Sequence, residues 1–101
     1  MELNFKPHHM VTQQTHPDMM ADWKDSKQAH FKCYDLEFSI LFGKMFYSDG
    51  ISTYEIWVLD DAHRELLGDY YDQPAGYLTM EEIKEYIKTA CTLWESKNDI
   101  S

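Results

Sequence analysis

The side chains of this sequence that are capable of acid–base chemistry include a short run, Asp60-Asp61-Ala62-His63, in a predicted turn. Acid–base catalysis needs a proton acceptor held in a pocket that excludes water. A tight turn is exposed instead, and Asp favours turns because of its own hydrogen bonds to the backbone. The sequence contains no nucleophile elbow, phosphate-binding loop or dinucleotide-binding motif. We therefore expect no catalytic residues, and a small enzyme that uses His63 with these carboxylates is the alternative.

The histidines and cysteines raise the question of a metal site. His30 and Cys33 have ligand-like spacing, but on a strand positions i and i+3 face opposite ways. No strict zinc-ligand spacing occurs, so we expect no metal and no cofactor, with a metal-binding domain as an alternative. The residues considered are His8, His9, His16, His30, His63, Cys33 and Cys91.

Two cysteines are too few for a disulfide framework. They are typical of reduced thiols in a cytoplasmic protein, and the N-terminal residues lack the apolar stretch of a secretory signal. A single disulfide between Cys33 and Cys91 is the other possibility at this point.

The carboxylates are concentrated in the middle of the chain. The sequence of 101 residues has a formal net charge of −9. The segments before residue 35 and after residue 85 are each balanced in charge, so the whole excess lies between them. A protein with this much negative charge is repelled by nucleic acid and by anionic lipid. No stretch of the sequence approaches the ~18 consecutive apolar residues that a membrane-spanning helix needs. We expect a basic protein as the partner, with no direct binding of nucleic acid and no membrane.

Hydrophobic periodicity and turn residues predict the elements that position these carboxylates. Thr15-His16-Pro17-Asp18 predicts the start of a helix that extends to about Gln28. Alternating apolar residues after Phe31 predict a first strand that bends at Gly43. The next elements are a turn at 48–50, a second strand at 51–59, a turn at 60–63 and a third strand at 64–71.

The clearest element is a C-terminal helix that begins after Thr79. Thr79 and Glu82 have the spacing of a capping box, in which each side chain bonds the backbone of the other residue. An apolar stripe follows at helical spacing, formed by Ile83, Ile87, Ala90, Cys91 and Trp94.

These elements predict an α+β fold of order α-β-β-β-α. The N-terminal and C-terminal helices would cover one face of a three-stranded antiparallel sheet. The other face, with Asp35, Glu37 and Ser39, would point to solvent. We predict an irregular N-terminal arm at 1–14, a single α+β domain at 15–97 and a frayed tail at 98–101.

The acidic sheet and its turns predict a docking face. Carboxylates at alternate positions of a strand lie about 6.6 Å apart, which imitates the regular negative charge of a nucleic-acid backbone. Neighbouring tyrosines would add contact area. The candidate partner-binding residues are Asp35, Glu37, Asp60, Asp61, Glu65, Asp69, Tyr70, Tyr71 and Asp72.

A short acidic chain with this element order and no catalytic motif resembles the small phage-encoded inhibitors, namely anti-CRISPR proteins and anti-restriction DNA mimics. The resemblance implies a non-enzymatic inhibitor that occupies a basic channel, or a surface near one, on a host defence nuclease guided by nucleic acid or on another DNA-binding protein. A homo-oligomeric module joined through exposed aromatic residues is a further alternative. The resemblance rests on the acidic run Asp35, Glu37, Asp49, Glu55, Asp60, Asp61, Glu65, Asp69 and Asp72.

Overall fold

The computed structural model describes residues 3–8 and 25–98. Within these ranges the chain forms five β-strands, two α-helices and one short 3₁₀-helix. In chain order they are β1 (Lys6–Pro7), β2 (Lys27–Cys33), β3 (Leu36–Phe42), β4 (Tyr54–Leu59), α1 (Asp61–Leu67), the 3₁₀-helix (Asp69–Tyr71), β5 (Ala75–Leu78) and α2 (Met80–Lys97).

The five strands form a single antiparallel sheet in the order β1-β2-β3-β4-β5. The α+β class is confirmed, but the predicted three-stranded sheet is wrong. Neither β1 nor β5 was predicted as a strand, because segments of two and four residues are too short to show a periodic pattern.

The single strand predicted from Phe31 onward is two strands joined by a two-residue turn. Cys33 pairs directly with Leu36, and between them Tyr34 adopts a left-handed backbone with φ 56°. Turns of this kind are normally signalled by Asn-Gly or Asp-Gly, and Tyr34-Asp35 carries no such signal. Tyr34 is exposed at the turn.

The first predicted helix ends too late. Lys27 and Gln28, assigned to its last turn, are the first residues of β2 and pair with Phe42 and Leu41 of β3. The start of that helix at residues 15–24 lies outside the described residues, as do 1–2 and 9–14 of the predicted arm and 99–101 of the predicted tail.

The third predicted strand is wrong, because the segment is helical. The Asp60 carboxylate accepts hydrogen bonds from the backbone N–H groups of Ala62 and His63 at 2.9 and 3.3 Å, which caps the N-terminus of α1. Arg64 and Leu67, three residues apart, are both buried. The turn predicted at 60–63 therefore starts a helix and does not join two strands.

A loop at residues 43–53 replaces the predicted hairpin turn between β3 and β4. The Asp49 carboxylate accepts hydrogen bonds from the backbone N–H groups of Ile51, Ser52 and Thr53, each at 2.9 Å. These bonds hold the pKa of Asp49 well below its usual range. They keep residues 51–53 in the loop, so β4 begins at Tyr54 and not at Ile51.

The prediction for the C-terminal helix is confirmed. Thr79 Oγ1 accepts from the Glu82 backbone N–H at 3.3 Å, and Glu82 Oε1 accepts from the Thr79 N–H at 3.0 Å. The apolar stripe of α2 packs on one face of the sheet and forms the core. The buried residues of this core are Ala29, Leu36, Phe38, Ile40, Ile56, Val58, Leu67, Tyr71, Ile83, Tyr86, Ile87, Ala90 and Trp94.

Candidate functional site

The antiparallel register brings two acidic turns to the same end of the sheet. Glu37, next to the first residue of β3, pairs with Leu59, the last residue of β4. The β2–β3 turn with Asp35 therefore lies at the end where β4 leads into Asp60 and α1. Both segments come from the acidic middle of the chain, so this end concentrates negative charge.

An acidic depression of about 300 Å³ lies against α1 and the 3₁₀-helix. We use the name acidic depression for the surface formed by Asp61, Glu65, Asp69 and Asp72. Asp61 and Glu65 are four residues apart on α1, so successive turns present them on one side. Asp69 and Asp72 follow in the 3₁₀-helix and at its C-terminal end, and they line the same depression. All four carboxylates were predicted as partner-binding residues, and the structure brings them together.

Arg64 is the basic residue that lines the same depression. Its guanidinium is ion-paired with Asp61 and donates through Nη1 to the Val58 carbonyl at 2.6 Å. The residue is only 7% exposed. Its charge is thus committed to the fold, which leaves Glu65, Asp69 and Asp72 without a basic partner among the described residues.

A larger groove of about 570 Å³ adjoins the depression, since Gly68 and Asp69 line both. It runs between the 3₁₀-helix and α2. We use the name tyrosine groove for the cavity lined by Tyr70, Tyr71 and Tyr86, with Asp69, Glu82 and Glu85 contributing carboxylates and Leu78 and Leu93 contributing apolar surface. Its volume is in the range of ordinary ligand pockets.

The three tyrosine rings of the groove form a compact cluster. The Tyr71 ring lies edge-on to both neighbours, with its centroid 5.0 Å from that of Tyr70 and 5.1 Å from that of Tyr86. The centroids of Tyr70 and Tyr86 are 5.9 Å apart. Edge-to-face packing of this kind stabilises aromatic clusters. Tyr70 and Tyr71 were predicted as contact residues, and the structure adds Tyr86 to them.

Tyr86 is a candidate site residue that the sequence analysis did not identify. It is 5% exposed, and its hydroxyl is buried with no hydrogen-bond partner in the described part of the chain. Burial, reinforced by Tyr71 and Tyr70, raises the pKa of the Tyr86 phenol far above its ordinary value. One feature of the sequence could have identified Tyr86. It lies between Ile83 and Ala90 on the apolar stripe of α2, where a buried hydroxyl needs a hydrogen-bond partner.

Asp35 and Glu37 line neither cavity. Asp35 is exposed in the β2–β3 turn, while Glu37 lies on the sheet face opposite to α2. Glu37 Oε1 is 3.2 Å from Nδ1 of His30 on the neighbouring strand. Glu37 is therefore held by a cross-strand pair, and these two predicted residues contribute charge at the same end of the sheet without joining the depression.

The described histidines do not converge with carboxylates in a cavity. The His63 ring packs edge-on against Trp94, with centroids 5.0 Å apart, and lies outside both the depression and the groove. Residues 3–8 and 25–98 contain no group of three or more His, Cys, Asp or Glu side chains placed to hold a metal ion. His9 and His16 lie outside these ranges.

Cys33 and Cys91 are free thiols that face each other between β2 and α2. Both are half-buried. Burial, with the hydrogen bond to Cys33, raises the pKa of the Cys91 thiol to about 12. The Cys91 thiol is thus held protonated, and no disulfide joins the two cysteines in this structure.

Comparisons with known proteins add no relative: no family model, curated protein or solved structure matches this chain. No helix in the described ranges is both long and apolar enough to cross a membrane.

Proposed function

We propose that this protein is a non-enzymatic inhibitor that binds a basic, nucleic-acid-binding protein through its acidic depression. The observation that carries the proposal is the convergence of Asp61, Glu65, Asp69 and Asp72 on one surface. The proposed partner is of the class that the resemblance to phage inhibitors implies: a host defence nuclease guided by nucleic acid, or another DNA-binding protein.

The charge of the depression supports this proposal. Arg64 is buried and ion-paired with Asp61, so it offsets that carboxylate and leaves Glu65, Asp69 and Asp72 without a basic partner among the described residues. A nucleic-acid-binding surface carries lysines and arginines that contact phosphates. The carboxylates of the depression compete for those same side chains. Their long-range attraction raises the association rate and weakens as salt is added.

The test is inhibition of DNA cleavage by a panel of purified nucleases guided by nucleic acid, measured at several salt concentrations. We expect cleavage to fall as the protein is titrated, and the inhibition constant to weaken with salt. The double variant Glu65→Lys with Asp72→Lys should lose at least about tenfold in inhibition at low salt, because it reverses two exposed charges of the depression.

The matched control is Asp25→Lys with Glu81→Lys. It changes the net charge by the same amount at two exposed positions that line neither cavity. It should stay within about twofold of the unmodified protein, since screened charges far from a contact have little effect. Equal losses in the two double variants would show that only net charge matters, and would contradict the proposal.

A further inference from the structure

The tyrosine groove contains a polar group with an unmet hydrogen bond. The hydroxyl of Tyr86 is buried and has no partner among the described residues, although the residue lines an open groove. A buried polar atom without a partner costs free energy, so a ligand in the groove that reached this oxygen would remove that cost. Burial raises the pKa of this phenol, so it stays neutral and offers both an O–H donor and an acceptor oxygen.

The groove is acidic as well as aromatic. Asp69, Glu82 and Glu85 line it, and no lysine, arginine or histidine does. Glu82 is partly engaged, because its Oε1 accepts from the Thr79 backbone. Anionic ligands are therefore repelled, and a neutral apolar ligand would leave both the Tyr86 hydroxyl and the carboxylates without partners.

The ligand chemistry that satisfies all of these groups is a guanidinium. Arginine is planar, remains charged, stacks on aromatic faces and donates several hydrogen bonds in fixed directions. Its methylene stem can lie along Leu78 and Leu93. The same chain already holds one arginine in this way, since the Arg64 guanidinium carbon lies 4.0 Å from the centroid of the Trp57 ring.

We infer that the tyrosine groove is the socket for an arginine side chain of the basic partner. This inference rests on the proposed function, which supplies the partner, and names the residue by which that partner is anchored. The exposed Tyr70 ring at the groove and the adjoining depression would receive the flanking basic residues, since Asp69 lines both surfaces.

The probe is a short Ser-Gly peptide that carries one arginine between two lysines. Two matched peptides replace the arginine by lysine or by citrulline, which has the same shape and no charge. Binding is followed at low salt by NMR titration of the protein. We expect the arginine peptide to shift the signals of Tyr70, Tyr71 and Tyr86, the lysine peptide to bind several-fold more weakly, and the citrulline peptide to leave these signals unchanged.

Two variants test the groove itself. Tyr86→Phe keeps the ring and removes the hydroxyl, so affinity for the arginine peptide should fall about five- to tenfold. Its melting temperature should stay the same or rise, because the lost hydroxyl has no partner among the described residues. A purely structural role of the hydroxyl would not combine weaker peptide binding with an unchanged or higher melting temperature. Tyr70→Ala should also lose the preference for arginine over lysine. Tyr77→Ala, exposed on β5 and outside the groove, is the matched control and should behave as the unmodified protein.

The outcomes separate this inference from the proposed function. Glu65→Lys with Asp72→Lys should weaken the arginine and lysine peptides alike and keep their ratio. Equal affinity for the two peptides, with shifts confined to the acidic depression, would overturn the arginine socket and leave the proposed function standing. Shifts of the groove tyrosines by the citrulline peptide would show a neutral occupant and would also overturn it.

Discussion

The guanidinium carbon of Arg64 lies 4.0 Å from the centroid of the Trp57 ring, where the pairing of β5 with β4 has ended. β5 pairs with β4 at Tyr54 and Ile56, and beyond them Arg64 Nη1 donates to the carbonyl of Val58 at 2.6 Å. One side chain thus continues the hydrogen bonding of the sheet edge and anchors α1 there. The position of the acidic depression depends on this anchor.

Replacement of Arg64 should therefore destabilise the fold. We expect Arg64→Ala to lower the free energy of unfolding by about 2–4 kcal/mol, because it removes a buried charged hydrogen bond and an aromatic contact. Arg64→Lys should lose less, since the charge is kept and the planar stacking is lost. Urea unfolding measures both, and Lys84→Ala, exposed on α2, is the control. A loss below about 0.5 kcal/mol for Arg64→Ala, the range of ordinary surface changes, would contradict the anchoring role.

Asp60 should contribute to stability through its cap and not through its charge. Its φ is 87°, a conformation that suits glycine, and its carboxylate caps α1. Asp60→Ala should cost about 1–2 kcal/mol, whereas Asp60→Gly should cost a few tenths. Thermal unfolding compares them, with Glu65→Ala as an exposed control in the same helix. Equal losses for Ala and Gly would mean that backbone conformation plays no part.

We expect disruption of the capping box of α2 to lower the free energy of unfolding by less than replacement of Arg64 does. Thr79→Ala removes the acceptor for the Glu82 N–H and should lower stability by about 1 kcal/mol, while Thr79→Ser should keep most of it. Thr92→Ala, exposed on the same helix, should be neutral or slightly stabilising because Ala has the higher helix propensity. Chemical denaturation distinguishes these results. If Thr79→Ala matches Thr92→Ala, the box contributes nothing.

Stability should fall at alkaline pH because Cys91 stays protonated in the fold. Burial raises its pKa from 9.0 to about 12, so above pH 9 the unfolded chain releases a proton that the folded chain retains. Ionisation then favours unfolding, and the contribution is present below pH 9 and is lost as pH rises toward 12. Burial also raises the pKa of Tyr86, which acts in the same direction at still higher pH.

Urea unfolding at stepped pH values from 8 to about 11 tests this dependence. Cys91→Ala removes the thiol and should show a shallower fall in stability above pH 9 than the unmodified protein. Indistinguishable slopes in the two proteins would assign the alkaline loss to other groups.

Local sequence predicted the elements whose signals are short-range. Thr79 and Glu82 cap α2 through hydrogen bonds between residues three positions apart. The apolar stripe that follows repeats at helical spacing, which can be seen in the sequence without knowledge of tertiary contacts. The alternation of Leu36, Phe38 and Ile40 likewise predicted their burial on one face, because side chains on a strand alternate by geometry.

The errors occurred where a neighbour in space decides the structure. Residues 64–71 lie between two predicted turns and were interpreted as a strand. The bonds of Asp60 to Ala62 and His63 and the burial of Arg64 against β4 make the segment helical. The β2–β3 turn uses Tyr34 at positive φ and has neither Asn-Gly nor Asp-Gly, so a hairpin was interpreted as one strand.

The sequence by itself determined the acidic middle of the chain, the cap and stripe of α2, and the presence of Tyr70 and Tyr71 near the acids, because composition and local periodicity are properties of the chain alone. The tertiary structure decided which acids meet. Asp61, Glu65, Asp69 and Asp72 share a surface because α1 and the 3₁₀-helix that follows it line one depression, and Tyr86 joins Tyr70 and Tyr71 because α2 packs beside the 3₁₀-helix. Contacts between residues distant in the chain depend on packing, which no local pattern encodes.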